Sequence, residues 1–250
     1  MKNACQDKET QIGKVKVVNK RLVRLLAGVV LLLAMGSAAN AVPITVDNPS
    51  FELPPHGDGG WGPTFAWDLV GPGGGEGGNW NPESHQFTSL PKGNHVGWAY
   101  QDFATGVAQG IAQVLGATFA ADTEYELTVE VGNSWDYYFS GYAVQLLAGG
   151  TVIAEDDNTL HPHWGEWATS TVLYSYDAAH GSLVGDPLEI RLLNLGLDPE
   201  GGKMNVEVEF DDVRLTAEAT TDLPEPITIA LMTIGLAGIG YRRHRSKIAS

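Results

Sequence analysis

Cysteine is almost absent from this chain, because its 250 residues contain only Cys5. That cysteine precedes a predicted signal-peptide cleavage after Ala41, so the mature protein is expected to have none. A disulfide framework, a thiolate zinc site and a cysteine nucleophile are therefore excluded. The fold must be held together by its core, or by its core and a metal ion.

The predicted signal peptide covers residues 1–41. Lys20, Arg21 and Arg24 precede an apolar run over 25–35, and Ala39 and Ala41 supply the small side chains that a signal peptidase requires. Eleven residues in a helix cover roughly 16 Å, about half of a bilayer core, so a cleaved signal is favoured over an anchor. The alternative is an uncleaved N-terminal anchor.

Basic residues are scarce in the middle of the chain. The 182 residues from 42 to 223 contain 27 acidic and 4 basic side chains, a net charge of 4 − 27 = −23. Such a segment repels phosphate backbones, so we expect no nucleic-acid partner.

A helical period of 3.6 residues is also missing from this middle segment, whereas alternation with period two is frequent. Apolar and polar side chains alternate over 124–131 and again over 142–146, and a turn at 148–151 predicts a hairpin. The phase of alternation changes at Asp211 and Asp212, which predicts a β-bulge. We predict a single antiparallel β-sandwich domain over 42–223. Further strands are predicted over 65–70, 96–100, 108–115, 167–176, 188–195 and 204–216.

The C-terminal segment, residues 224–250, has three features in a fixed order. Pro224, Glu225 and Pro226 are followed by an apolar stretch over 227–241 and a basic cluster over 242–245. This order resembles the PEP-CTERM sorting signal of exported bacterial proteins. The resemblance implies recognition of the three motif residues by an exosortase and transient inner-membrane contact through a hydrophobic helix at 227–241. A simple C-terminal membrane anchor is the alternative.

Four short motifs, at 48–52, 110–115, 141–150 and 210–215, resemble bacterial exported proteins with a jelly-roll, galactose-binding-like domain related to carbohydrate-binding modules. The resemblance implies a structural calcium ion held by Glu52, Asp211 and Asp212. Calcium prefers hard oxygen ligands, and such a cation would relieve the repulsion within a strongly acidic domain. In the alternative interpretation, Glu52 and one aspartate only cap backbone N–H groups.

Aromatic side chains beside loop glycines and amides are candidates for sugar binding, because sugar rings stack on aromatic faces. The candidates are Trp80, Trp135, Tyr137 and Tyr138, and packing in the core is the alternative for each of them. Three other tryptophans, Trp67, Trp98 and Trp167, lie in predicted strands and are assigned to the core. The acidic run at 155–158 is interpreted as a solvated turn.

Sequence motifs of common enzymes are missing: the chain has no Gly-x-Ser-x-Gly, no His-Glu-x-x-His and no phosphate-binding loop. We therefore expect a non-catalytic protein. The two resemblances imply that it is sorted to the cell surface or the extracellular matrix and is associated with extracellular polysaccharide. Signal peptidase and an exosortase would be its partners during export. A secreted glycan-active hydrolase and a purely structural matrix protein are the alternatives.

Overall fold

The computed structural model describes residues 41–72, 76–198 and 201–220, and Asn40–Thr220 form one compact unit. The cleavage-site residue Ala39, the motif residues Pro224, Glu225 and Pro226, and the apolar stretch at 227–241 lie outside the described residues. Within the described part of the chain, no helix has the length and apolar character needed to cross a membrane. Export and signal-peptide cleavage stay predictions.

The described residues form two β-sheets and one short 3₁₀ helix, Ala178–Leu183. The larger sheet has the strand order β11-β7-β13-β5-β4-β2, with β1 and β8 also paired to β13, and the smaller sheet has the order β10-β9-β12-β6-β3. All pairs are antiparallel except β8 with β13. The predicted antiparallel β-sandwich class is confirmed. The strands are β1 Val42–Ile44, β2 Trp61–Gly62, β3 Asp68–Val70, β4 Glu76–Trp80, β5 Val96–Phe103, β6 Gln109–Thr118, β7 Thr123–Asn133, β8 Tyr138–Phe139, β9 Tyr142–Ala148, β10 Thr151–Asp157, β11 Glu166–Ser175, β12 Pro187–Asn194 and β13 Met204–Ala219.

The main core contains apolar side chains from both sheets. Phe51, Leu127 and Phe210 are fully buried there, and so are Leu146 and Ile190 from the smaller sheet. Each such side chain stabilises the fold by roughly 1.5–3 kcal/mol on burial. Apolar residues at every second strand position therefore explain the sandwich.

Strand β13 changes its phase at the predicted bulge. Its pairing with β7 shifts between Asp211 and Arg214, and Asp212 has a positive φ of 47°. Before the shift, Val208 and Phe210 face the core, and after it Val213 does. The bulge lets one long strand keep apolar side chains inward on both sides of it.

The outer face of the larger sheet carries a second apolar cluster. Trp80, Phe87, Val96 and Trp98 are buried there, and Leu90, Tyr100, Tyr137 and Trp167 pack against them. The middle of β13 is therefore buried on both faces, including Glu207 and Glu209. This cluster positions the candidate site.

Candidate active site

Three neighbouring strands bring Glu76, Tyr100 and Glu207 into one row. Tyr100 on β5 lies directly opposite Glu76 on β4 and opposite Glu207 on β13. Side chains of directly opposed residues point to the same face of a sheet. All three therefore lie on the outer face.

This row borders a cavity of about 190 Å³. Five of its seven lining residues are aromatic and two are acidic. The aromatic wall residues Trp80 and Trp98 are almost fully buried, whereas Trp61 is 69% exposed at the cavity mouth. The lining residues are Trp61, Glu76, Trp80, Trp98, Tyr100, Tyr137 and Glu207.

The aromatic rings of the cavity contact one another edge to face. The ring centroids of Tyr100 and Tyr137 are 5.9 Å apart, and those of Trp80 and Tyr137 are 6.3 Å apart. Trp61 meets Trp98 at 5.9 Å with an angle of 86° between the rings. This arrangement is favourable for aromatic quadrupoles and leaves electron-rich ring faces available to a bound molecule.

Glu207 and its neighbour Glu209 form a buried pair of carboxyl groups. Glu207 is 5% exposed and Glu209 is fully buried. Within the described residues, neither Glu209 carboxyl oxygen has a hydrogen-bond donor from another residue. Burial raises the pKa of Glu207 well above its usual value, and the charge of Glu209 adds to this effect. Two adjacent buried carboxyl groups are not both ionised at neutral pH, so Glu207 can hold a proton beside the aromatic cavity.

Tyr100 separates the buried Glu207 from Glu76. Its hydroxyl lies 2.7 Å from Asn205 Oδ1 and 3.0 Å from Asp102 Oδ1. Burial raises the pKa of Tyr100 to about 12, and the hydrogen bond to Asp102 adds to the effect. The phenol is therefore neutral under ordinary conditions.

Comparison with protein-family models and solved structures decides the family. The model for HpiC1-like proteins, described as HpiC1 cyclase, matches residues 42–216. The chain belongs to the HpiC1-like cyclase family. No protein with a curated description matches the chain.

Solved structures of cyclases from Fischerella are similar to the chain. An apo-form cyclase from Fischerella sp. is 30% identical, with 72% of this chain and 98% of that chain covered and a TM-score of 0.62. A Stig cyclase from Fischerella sp. TAU, in complex with (3Z)-3-(1-methyl-2-pyrrolidinylidene)-3H-indole, is 29% identical over 73% of this chain and 100% of that chain, with a TM-score of 0.63. A Fischerella sp. TAU cyclase in complex with 4-(1H-indol-3-yl)butan-2-one is 30% identical over 72% of this chain and 100% of that chain, with a TM-score of 0.62.

Membership of the HpiC1-like family corrects the functional expectation from sequence. The prediction of a non-catalytic matrix protein associated with polysaccharide was wrong, because the family and these solved structures are cyclases. The missing nucleophile and metal motifs exclude only the mechanisms that use them. Neither the family match nor these structures support the PEP-CTERM, exosortase and transmembrane-helix assignments.

The four aromatic residues proposed to bind sugar have different surroundings in the structure. Trp80 and Tyr137 line the cavity. Trp135 is 52% exposed and packs against Trp164, with ring centroids 6.1 Å apart. Tyr138 lies under the amino group of Lys203, which is 4.3 Å from the ring centroid.

The three residues proposed to bind calcium have different surroundings. Glu52 Oε1 accepts hydrogen bonds from the backbone N–H groups of Asn94 and His95, and its Oε2 lies 3.0 Å from His95 Nδ1. Asp211 is fully buried and accepts N–H bonds from Lys92 and from Asp212. The Asp212 carboxylate forms an ion pair with Arg214. Within the described ranges, no cluster of three or more His, Cys, Asp or Glu side chains is arranged to hold a metal.

Sequence reasoning missed five of the cavity residues as site residues: Trp61, Glu76, Trp98, Tyr100 and Glu207. It assigned Trp98 to the core, and the structure buries this residue in the outer cluster. The available signal was Glu207 alternating with Val206 and Val208 in a strand, which is also the pattern of a solvated strand face. Only the strand order brings Glu207 beside Tyr100, which lies 107 positions earlier in the chain.

Proposed function

We propose that this chain is an acid-catalysed cyclase that closes a ring on an indole carrying an alkene side chain. Support for the reaction class comes from membership of the HpiC1-like family, and support for the indole comes from the indole compounds bound to similar cyclases. The Glu76 carboxylate at the cavity repels phosphate and carboxylate groups, which favours a substrate without such groups.

The single observation that carries this proposal is the buried Glu207 carboxyl group at an aromatic cavity. A general acid must hold its proton at the working pH, and burial next to Glu209 keeps the Glu207 proton in place by raising its pKa. The carboxyl group of Glu207 lines the same cavity as the rings that would hold the substrate. Glu207 is thus the proton donor.

The aromatic walls stabilise the positive charge that protonation creates. A cation over the face of a Trp or Tyr ring gains about 0.5–1 kcal/mol when exposed and about 2 kcal/mol or more when desolvated. Trp80, Trp98 and Tyr137 supply such faces around the cavity.

The reaction consumes and releases one proton and needs no oxidant or reductant. The O–H bond of Glu207 breaks and a C–H bond forms at the less substituted alkene carbon, which leaves a cation on the more substituted carbon. The indole π electrons then form the new C–C bond and close the ring. Loss of one proton from the indole carbon restores aromaticity, so the product is an isomer of the substrate.

The test of this function is Glu207→Gln, assayed with an indole that carries a trisubstituted alkene on its side chain. We expect turnover to fall by about 10²- to 10⁴-fold, because the amide retains the shape of the acid and cannot donate its proton. The matched control is Glu126→Gln, which changes an exposed glutamate of the same sheet. Binding of 4-(1H-indol-3-yl)butan-2-one, followed by calorimetry, should change less than about threefold in both variants. Unchanged turnover in Glu207→Gln would show that another group donates the proton.

We further propose a structural calcium ion held by Glu52 and Asp211. Burial raises the pKa of Asp211 to about 8, and the charges of Asp212 and Glu52 add to this effect. Gly93 approaches so closely that a Cβ atom there would lie 2.0 Å from Glu52 Oε1. These two carboxylates would supply oxygen ligands, with backbone carbonyls and water completing the six to eight that calcium takes. Asp212 is excluded from the set, because it pairs with Arg214. The ion would fix the chain ends of the domain and take no part in proton transfer.

A further inference from the structure

A second carboxyl group, that of Glu76, reaches the cavity from the side opposite Glu207. Glu76 and Glu207 both face Tyr100 across neighbouring strands. Adjacent strands are about 4.7–4.9 Å apart, so two spacings separate the backbones of the two glutamates by about 10 Å. Tyr100 lies between them on the middle strand, so the two carboxyl groups border the cavity on opposite sides of the Tyr100 ring.

The two carboxyl groups have contrasting environments. Glu207 is 5% exposed beneath the aromatic cluster, whereas Glu76 is exposed near the cavity mouth. Water stabilises the ionised form of an exposed carboxyl group, and burial favours the neutral form. The same cavity therefore contains one proton donor and one anionic proton acceptor.

We propose that Glu76 is the catalytic base that removes the final proton from the cyclised indole. This inference rests on the proposed function, which leaves one proton to be removed after the ring closes. The Glu76 carboxylate forms an O–H bond with the hydrogen of the indole carbon, and the electrons of the broken C–H bond restore the aromatic ring. Water then carries the proton from the exposed Glu76 to solvent, and Glu207 regains its own proton before the next turnover.

The position of Glu76 also has a consequence for binding. Before proton transfer, Glu207 is neutral and Glu76 is anionic, so a cation that binds in the cavity lies beside one negative charge. The cavity should therefore prefer a cation to a neutral molecule of the same shape, and the preference should depend on Glu76 alone.

A pair of matched probes tests this placement without turnover. One probe is an indole with a trimethylammonium-ethyl chain, and the other is the neutral indole with carbon in place of that nitrogen. We expect the wild-type protein to bind the cation more tightly than the neutral probe. In Glu76→Gln, the ratio of cation affinity to neutral-probe affinity should fall about tenfold. In Glu207→Gln and the exposed control Glu126→Gln, this ratio should stay at the wild-type value. A preference that survives in Glu76→Gln overturns the inference.

The same variants separate failure of the inference from failure of the proposed function. If Glu207→Gln loses the cation preference, Glu207 is ionised in the cavity and its role as proton donor is wrong. If Glu207→Gln loses turnover but Glu76→Gln turns over the alkene at the wild-type rate, only the role of Glu76 is wrong.

The rate of turnover and the ratio of products provide the readout for the chemical step. With Glu76→Gln we expect turnover to fall by about 10²-fold, as for loss of a general base, and water-trapped alcohol to replace part of the cyclised product. Glu76→Asp, which restores the carboxylate on a shorter side chain, should recover part of the rate and the wild-type product. An unchanged product ratio in Glu76→Gln would contradict the assignment.

Discussion

Asp156 shows how one side chain can join the two sheets. It lies on β10 of the smaller sheet and accepts hydrogen bonds from Tyr142 on β9, Ser170 on β11 and Thr159. Burial alone would raise its pKa, but the hydrogen bonds from Ser170, Tyr142 and Thr159 outweigh burial and lower the pKa. The carboxylate is therefore held ionised between a strand of each sheet.

Replacing Asp156 with Ala should destabilise the domain by about 1–3 kcal/mol, because the buried hydroxyl groups of Tyr142 and Ser170 lose their acceptor. Denaturant unfolding measures this change, with Asp157→Ala as the control because the adjacent Asp157 is exposed. Since the folded pKa lies below the unfolded value, the stabilising effect is present above pH 3.8 and is lost as the pH falls further. Equal stability of the two variants would exclude this role for Asp156.

The acidic run at 155–158 also shows a limit of reading residues singly. A solvated turn was predicted there, but the strand β10 continues through Asp157 and Asp156 is buried. Burial of this carboxylate depends on Ser170 and Tyr142, 14 positions away on either side. The residues next to Asp156 in the sequence do not indicate which distant side chains donate hydrogen bonds to it.

At the scale of the element, Gly132 on β7 makes room for the outer aromatic cluster. A Cβ atom at Gly132 would lie 2.7–2.9 Å from ring atoms of Trp167. Trp167 in turn contacts Phe87, with ring centroids 4.8 Å apart. The glycine thus allows the Trp167 ring of the neighbouring strand to approach the backbone of β7 closely.

Gly132→Ala should displace the Trp167 ring and destabilise the protein by about 1–3 kcal/mol, the usual effect of overpacking. The near-ultraviolet circular dichroism signal should lose intensity, and the unfolding midpoint should fall. Gly116→Ala on β6 is the matched control, since nothing lies within 4 Å of its added Cβ. If both alanine variants have wild-type stability, Trp167 is not confined by Gly132.

Strands with a clear period of two could be predicted from the sequence, and the structure confirms the hairpin of β9 and β10 and the bulge in β13. The active-site face could not, because its pattern in β13 is that of any strand with one polar side. Glu207 is buried by aromatic residues from β4, β5 and the segment that contains Tyr137. Long-range strand order, which no local pattern encodes, creates that environment.

The balance of charge is a property of the whole domain. The 42–223 segment has a net charge of −23 when every acidic side chain is ionised. Burial raises the pKa of Asp211 to about 8, so this residue carries a proton at lower pH. A carboxyl group with a raised folded pKa binds its proton more tightly in the folded state. The stabilisation of the fold by the proton on Asp211 is therefore fully present below the unfolded pKa of 3.8, and it is lost as the pH rises toward 8.

We expect the stability of the protein in EDTA to fall between about pH 4 and pH 8, by up to about 1.4 kcal/mol per pH unit from this one group. Calcium should abolish most of this decline, since a bound cation stabilises the ionised Asp211. Thermal unfolding at several pH values, with calcium, magnesium or EDTA, measures both effects. Asp211→Asn should remove both the pH slope and the response to calcium. Identical midpoints at pH 8 in calcium and in EDTA would rule out the ion.

The cavity lies on the outside of the larger sheet, whereas the main core lies between the two sheets. The side chains that line the cavity and those of the main core are thus separate sets. Exchanging one wall residue for another can redirect the chemistry while the interior stays as it is, which leaves such a scaffold free to diversify.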